Sequence, residues 1–384
     1  MHDTPSRRTW RKFKRNPLAV SGMIFILFML LCGLLGYLVV PDKTPMANDM
    51  LLQLSIKKPG SVYTLLKVRK NEQVDTAGFF RLMLYGQPTF FRRIPITSYR
   101  VTDDSVMVRE YIGDEEQAEE SGYAIAEVAG MKQYPAVSKL SGGALKTYIE
   151  KEHLEQRRYL LGTDVYGRDL LSRLVLGIRV SLSVGIMAVL ISLAIGIFFG
   201  ALAGYYGGKT DTLISWFMNV VWSLPALLLV IAISFALGKG FWQIFIAVGL
   251  TMWVDVARLV RGQVMVLKNA GYVEAARAMG FKDSRIILKH ILPNTWGSVL
   301  VIASSNFASA ILLEAGLSFL GYGAQPPMPT WGAMIKEHYG YIIMDGAYLA
   351  ILPGLAIMLM VYAFNLVAIG LRDAFDVRET GRSV

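Results

Sequence analysis

The 384-residue sequence predicts an all-α polytopic membrane protein with six transmembrane helices, interrupted after the first by a small, mostly β insert. Three observations carry that expectation. Hydrophobic residues make up 54% of the chain and charged residues only 18%, with a positive mean hydropathy of +0.43, a balance foreign to soluble enzymes. Crossing a bilayer core takes about 20 consecutive apolar residues, and segments 17–40, 180–206, 212–238 and 346–371 supply them without a single charge. Two further segments complete the set: 240–254, extending through Asp255 towards Arg258, and 294–323, broken only by Glu314. Finally, the lysines and arginines cluster beside these runs.

That clustering orients the chain. A net charge of +10 raises nucleic acid as a partner, but residues 41–168 hold 18 Lys/Arg against 17 Asp/Glu and are almost neutral. The excess sits in the first 16 residues (Arg7, Arg8, Arg11, Lys12, Lys14 and Arg15 against Asp3) and in 255–292 (Arg258, Arg261, Lys268, Arg277, Lys282, Arg285 and Lys289 against three acids). Short basic segments beside spans stay in the cytoplasm. With six spans and a cytoplasmic N-terminus, the loop after span four and the C-terminus are cytoplasmic too, and the expected partner of the basic segments is the lipid bilayer. The order is then a basic tail (1–16), a first span (17–40), an extracytoplasmic insert (41–158), a five-span block (159–373) and a C-terminal tail (374–384). Arg7-Arg8 ahead of an apolar stretch resembles a twin-arginine export signal. The run is too long for a signal core, and no small-residue cleavage site follows, so a retained anchor helix is expected.

Within the insert, 98–112 alternates around Asp103-Asp104 and predicts a β-hairpin. Segments 61–68 and 123–128 are weaker strand candidates, 145–158 is expected to be helical, and the acidic run 114–120 a solvated loop. Cys32, the only cysteine, is expected as a small buried hydrophobe in the first span. His2, His153, His290 and His338 are scattered, so no histidine metal cluster is expected.

The loop between spans four and five, residues 269–293, is polar yet patterned. Gly271 and Gly280 bracket a short helix with Glu274 in its first turn, where a helix dipole favours a carboxylate. Ala275, Ala276 and Ala278 leave that helix thin enough for another protein to approach closely. Asp283 or Ser284 is placed to cap a second short helix, and Pro293 suits the first turn of the next span. An amphipathic loop resting on lipid would account for Lys282, Arg285 and Lys289, but not for the alanines or the paired glycines.

Three collinear stretches resemble one family. LGTDVYGRDLLSRLVLGIRVSL (161–182), Glu274-Ala275-Ala276 with Gly280 and Leu292-Pro293, and AILLEAGLSFLGYGAQPPMPTW (310–331) are similar to the C permease subunit of ABC importers for oligopeptides, dipeptides and nickel. The likeness covers about 161–373. It departs at His290, where the general signature has isoleucine, and in the insert, which is longer than the family's usual loop.

The resemblance implies a five-helix type I importer core plus an N-terminal span in a bacterial inner membrane. Tyr272, Val273, Glu274, Ala275, Ala276, Arg277 and Gly280 would couple it to an ATPase: Glu274 capping and orienting the helix, Arg277 pairing with an acidic groove residue, Gly280 turning the chain. The implied partners are a homologous permease, two cytoplasmic ATPases and an extracytoplasmic binding protein. ATP-Mg would be used by the ATPases and no cofactor bound by this chain, which has no GxxxxGK[ST] loop.

Asp164, Gly167, Arg168 and Asp169 form the extracytoplasmic entry segment to the second span, with Asp164 and Asp169 each able to pair with Arg168, and an interfacial helix is expected where Arg168, Arg173 and Arg179 recur among leucines. The segment would shape the extracytoplasmic vestibule or a docking surface for the binding protein, or its arginines would only snorkel at a helix end. Glu314, a carboxylate in an apolar span, would line the pathway, face the partner permease or form a structural salt bridge. Asp255 and Arg258 read as a local ion pair, and Pro225 and Pro353 as kinks inside spans three and six. A nickel or other small-solute importer is the alternative within transport. A membrane-anchored sensor acting through the insert is the more distant one, and deletion of the insert would separate them.

Overall fold

A computed structural model describes residues 5–72, 75–113, 118–238 and 240–375 of the chain. In chain order the elements begin with α1 (Pro5–Arg15), α2 (Pro17–Leu34) and α3 (Gly36–Val39). There follow β1 (Ser61–Arg69), α4 (Phe79–Tyr85), β2 (Phe91–Val101), β3 (Ser105–Glu110), β4 (Glu120–Ala124), α5 (Ile125–Ala129), α6 (Tyr134–Val137), α7 (Gly142–Glu152) and β5 (Leu154–Tyr159). The long helices come last: α8 (Leu170–Tyr206), α9 (Gly208–Trp222), α10 (Ala226–Leu237), α11 (Phe241–Leu267), α12 (Gly271–Ala278), α13 (Asp283–Ile286), α14 (Leu292–Leu320), α15 (Trp331–His338) and α16 (Tyr348–Phe375). The chain divides into two compact units, one of Met1–Leu31, Ile178–Lys336 and Ile351–Val384, the other of Cys32–Gly177 with Glu337–Ala350.

The second unit is built on a five-stranded antiparallel sheet in the order β4-β3-β2-β1-β5. Alternation puts successive side chains on opposite faces. Leu66, Val68, Ile94, Ile96, Val106 and Val108 therefore cover one face and pack on Ile125 and Val128 of α5 and Leu145 and Ile149 of α7. Leu65 and Tyr159 point the other way, into a cluster with Leu51, Leu54 and Tyr111. The expected hairpin is present as β2 and β3. Two expectations fail at their C-terminal halves. Segment 123–128 leaves the sheet at Ile125 and turns helical, burying Val128 and Ala129. Segment 145–158 stops being helical at Glu152, because β5 pairs with β1 from Leu66↔Leu154 to Ser61↔Tyr159. Of the acidic run, 114–117 lie outside the described residues and Glu120 opens β4.

In the first unit, α8 and α11 touch through glycine. A Cβ at Gly196, Gly200 or Gly204 would strike the carbonyls of Trp253, Ala257 and Arg261 at 2.7, 2.6 and 2.7 Å. Glycine on every fourth position thus lets two backbones lie side by side, the packing that small residues allow between apolar helices. Arg261 clamps α9 to α11 through Asp211 at 2.5 and 2.7 Å.

Among the described residues, five helices are long and apolar enough to cross a membrane: Pro17–Leu34, Leu170–Tyr206, Phe241–Leu267, Asp283–Leu320 and Tyr348–Phe375. The remaining expected span, 212–238, is a pair of helices, α9 and α10, bent by 94°. Pro225 is not inside a helix but at that break, as the residue before α10. A proline disfavours helical geometry in the residue before it and supplies no N–H, so the chain can turn there. Pro353 does lie inside α16. Arg258 donates to Asn219 Oδ1 at 2.9 Å and lies over Trp222, while its charge still acts on Asp255. Cys32 is half-buried, less enclosed than expected. Residues 376–384 of the expected C-terminal tail lie outside the described residues.

Candidate functional site

The loop after α11 forms one short helix, α12, and not the expected two. It ends where Gly280 takes φ +76°, a left-handed conformation that glycine adopts without steric cost. Gly280 N–H donates to Arg277 O and Phe281 N–H to Ala276 O, the paired bonds of a Schellman stop. The second expected helix is only the start of the following long one. α13 passes through a single π-turn, Ile287–Ile291, into α14, and Asp283–Leu320 counts as one apolar helix. Asp283 does not cap it: Lys282 is the N-cap residue, and Asp283 Oδ1 accepts a 2.7 Å bond from the Tyr205 hydroxyl.

α12 has two faces. Val273 and Ala276 are buried and join a cluster with Ala201 and Tyr205 of α8, Val256, Val260 and Val264 of α11, and Ile286, Ile287 and Ile291. Tyr272, Glu274, Ala275 and Arg277 are exposed. No side-chain hydrogen bond caps the start of α12, so the capping role expected of Glu274 is not what holds the helix. Its ends are held elsewhere. Asn294 Nδ2 donates to the Tyr272 hydroxyl at 3.2 Å, tying α12 to α14. The Arg277 guanidinium sits 6.0 Å from the Tyr205 ring, tying it to the end of α8.

Glu314 is buried at 1% exposure. Its partners are hydroxyls, not the expected salt bridge. Ser318 Oγ donates to Oε1 at 2.7 Å, Ser181 Oγ to Oε2 at 3.3 Å, and Thr330 also hydrogen-bonds the carboxylate. The carboxylate thus joins α8, α14 and the loop before α15.

The segment before α8 is an ion-pair knot and not an interfacial helix. Gly167 (φ +72°) turns the chain where the Leu51 backbone leaves no room for a Cβ. Arg168, 2% exposed, reaches Asp164 Oδ2 at 2.6 Å and Glu337 Oε2 at 2.9 Å. Arg173 stands 3.5 Å from Asp164 and 3.9 Å from Glu337. Two forked guanidiniums buried among two carboxylates are matched charges, and snorkelling to water does not describe them. Asp169, expected to pair with Arg168, instead accepts the Ser172 N–H at 2.8 Å and the Ser172 hydroxyl. That is an N-cap on α8. Burial pushes its carboxyl above the usual aspartate range, against the lowering effect of the Ser172 bonds.

Sequence reasoning missed Glu337 and His338. With Asp164 they form a group whose donor atoms lie within 4.8 Å of one another. Both carboxylates of that group already carry arginine, so the donor set suits guanidinium rather than a metal cation. Tyr205 and Asn294 were missed as well, and Asp283, expected as a helix cap, serves Tyr205 instead.

Comparison with known proteins assigns the chain. The model of the binding-protein-dependent transport system inner membrane component matches residues 196–380, and that of the N-terminal TM domain of oligopeptide transport permease C matches 4–54. The glutathione transport system permease protein GsiD of Pectobacterium atrosepticum is 45% identical over 60% of this chain and 77% of its own. The chain belongs to the binding-protein-dependent transport system inner membrane components. This permease is also 43% identical to the oligopeptide transport system permease protein OppC of Haemophilus influenzae, over 58% of this chain and 71% of that one. It is 42% identical to the dipeptide transport system permease protein DppC of Bacillus subtilis, over 56% and 67%. The permease is an ABC importer subunit of the inner membrane, a transport component and not an enzyme, and such a subunit works with ATPase and binding-protein partners. The sheet lies between the two matched regions, in 55–195.

Proposed function

We propose that this permease imports di- or oligopeptides, the glutathione class included, and forms half of a translocation pathway with a homologous permease. α12 receives the movement of a cytoplasmic ATPase, one of two in the assembly, which bind and use ATP-Mg. A binding protein delivers substrate on the opposite side. The chain crosses the membrane six times, α9 and α10 together making one crossing, with both termini cytoplasmic and the sheet outside. Its names among relatives favour peptides over nickel, since glutathione, oligopeptide and dipeptide permeases all align with it.

The observation that carries the coupling role is the division of α12. Val273 and Ala276 key it into the ends of three long helices, while Tyr272, Glu274, Ala275 and Arg277 face outward with a small residue in their midst. Whatever seats on the outward face moves the helices behind it. Ala275→Trp tests this, because position 275 is exposed and the substitution leaves the buried stripe intact. In a complex reconstituted with its ATPases and peptide-loaded binding protein, uptake is lost and ATPase association weakens, while the unfolding midpoint of the permease is unchanged. Undiminished uptake would overturn the assignment.

A further inference from the structure

We propose that α4 is a membrane-surface anchor, seating the sheet-bearing unit on the lipid headgroups. α4 reads FFRLMLY, and none of its residues is buried. Phe79, Phe80, Leu84 and Tyr85 are 62, 73, 47 and 69% exposed. At 3.6 residues per turn the half-buried Leu82 and Met83 mark the inner side. The outward side is then Phe80, Arg81, Leu84 and Tyr85, all of them exposed. An outward face of two large apolar groups, a tyrosine and an arginine is misplaced in water. It fits the boundary between headgroups and acyl chains, where aromatic rings sit and an arginine reaches back to phosphate.

The position of α4 names the occupant. α4 packs on α3, which follows α2 after a single residue. The contact is close: a Cβ at Gly86, which ends α4, would meet the Tyr37 ring at 2.8 Å and the Lys43 carbonyl at 2.6 Å, and Gln87 N–H donates to Lys43 O at 2.8 Å. α2 and α3 together, at about 1.5 Å per residue, span roughly a hydrocarbon core, so α3 lies where the chain leaves the bilayer. Leu34, at the end of α2, and Val39 of α3 are themselves 47 and 70% exposed. α4 is therefore tied to the point where the chain leaves the bilayer, and a bilayer surface is the partner whose chemistry matches it.

The test uses the full-length chain in vesicles of phosphatidylethanolamine and phosphatidylglycerol. In a Cys32→Ser background, an environment-sensitive fluorophore is placed by Phe80→Cys, Leu84→Cys or, on the exposed β2–β3 turn, Asp104→Cys. Labels at 80 and 84 should lose emission to lipids carrying a nitroxide high on the acyl chain and resist aqueous iodide, whereas 104 should behave the opposite way. Iodide quenching at 80 and 84 equal to that at 104 would overturn the proposal. So would protection from both quenchers, which would mean a protein covers α4. The inference rests on α2 being a membrane span. A fourth label, Leu27→Cys, should be quenched by nitroxides deep in the acyl chain, and its failure would strike that placement and not the role of α4.

Discussion

Removing Arg168 isolates the stability of the knot before α8. Arg168 and Arg173 balance Asp164 and Glu337, and all but Glu337 are at least 98% buried by side chain. Arg168→Met keeps most of the apolar stem and deletes the charge, leaving one carboxylate uncompensated. Breaking a buried pair from one side costs about 3–5 kcal/mol. Arg173, 3.5 Å from Asp164, stays behind and holds the loss near the lower end. At about 2–4 °C per kcal/mol for a unit of this size, the unfolding midpoint of the purified protein should fall by roughly 6–12 °C. Arg168→Lys should recover part of this, since an ammonium meets one carboxylate well but cannot span both. The double variant Arg168→Met/Asp164→Asn should be clearly less destabilised than the two single losses added together, because it leaves no orphaned charge. A midpoint for Arg168→Met within about 2 °C of wild type, or strict additivity in the cycle, would refute the matched-charge account.

Gly280→Val forces a β-branched residue to φ +76°, at a cost of about 1–2 kcal/mol or more. It should lower peptide uptake sharply while substrate binding by the binding protein, read by calorimetry, is unchanged. Glu314→Gln keeps an acceptor for Ser318 and should fold normally. Glu314→Leu strands the hydroxyls of Ser181, Ser318 and Thr330 and should cost about 1–3 kcal/mol in thermal unfolding. His153 is buried with Nδ1 donating to the Lys67 carbonyl at 2.8 Å, and burial holds its pKa below the usual imidazole range. Its neutral form is the one that folds, so its stability is present above about pH 6.5 and lost as pH falls towards the folded value. The unfolding midpoint of wild type should therefore drop further than that of His153→Gln between about pH 7.5 and 5.5.

The long apolar helices were legible because each solves its burial problem within its own segment. Hydropathy alone marks such a helix, and it did so for α2, α8, α11, α14 and α16. Gly280 was legible for a similar reason, since a helix stop is local chemistry. What escaped was pairing across distance. β5, with the charged sequence LEQRRY, is a strand only because β1 lies beside it, more than 80 residues away in sequence. Arg168 finds Glu337 across 169 positions, which no local pattern announces. Asp169 is different: an aspartate immediately before an apolar run is an N-cap signature. The neighbouring Arg168 offers a simpler partner and obscures it. The bend at Pro225 was half legible, the proline being visible but not the break it would permit.

The packing around α12 bears on how a movement there would travel. α12 is keyed in by Val273 and Ala276 and tied at its ends through Tyr272 to Asn294 and through Arg277 to Tyr205, so it cannot shift without the cluster it sits in. Within that cluster α8 and α11 touch backbone to backbone at Gly196, Gly200 and Gly204, which leaves little side-chain cushion to absorb a displacement. α14 starts at the Asn294–Tyr272 contact and carries Glu314 about 30 Å further along its axis. One helix therefore has the α12 contact near one end and the Ser181–Glu314–Ser318 hydrogen bonds near the other. Under the proposed coupling, no relay of side chains through the bilayer is needed, because a stiff element already joins the two places. The same argument explains why Glu314 is bonded to hydroxyls. Ser318 lies on α14 itself, so Ser181 alone links Glu314 to α8, one hydrogen bond worth about 0.5–1.5 kcal/mol net, or up to about 3 when the partner is charged. A buried salt bridge in that position would have to be broken to separate α8 and α14, and leaving one of its charges buried and unpaired costs about 3–5 kcal/mol. Under the proposed coupling, α8 and α14 part at the cost of that one bond.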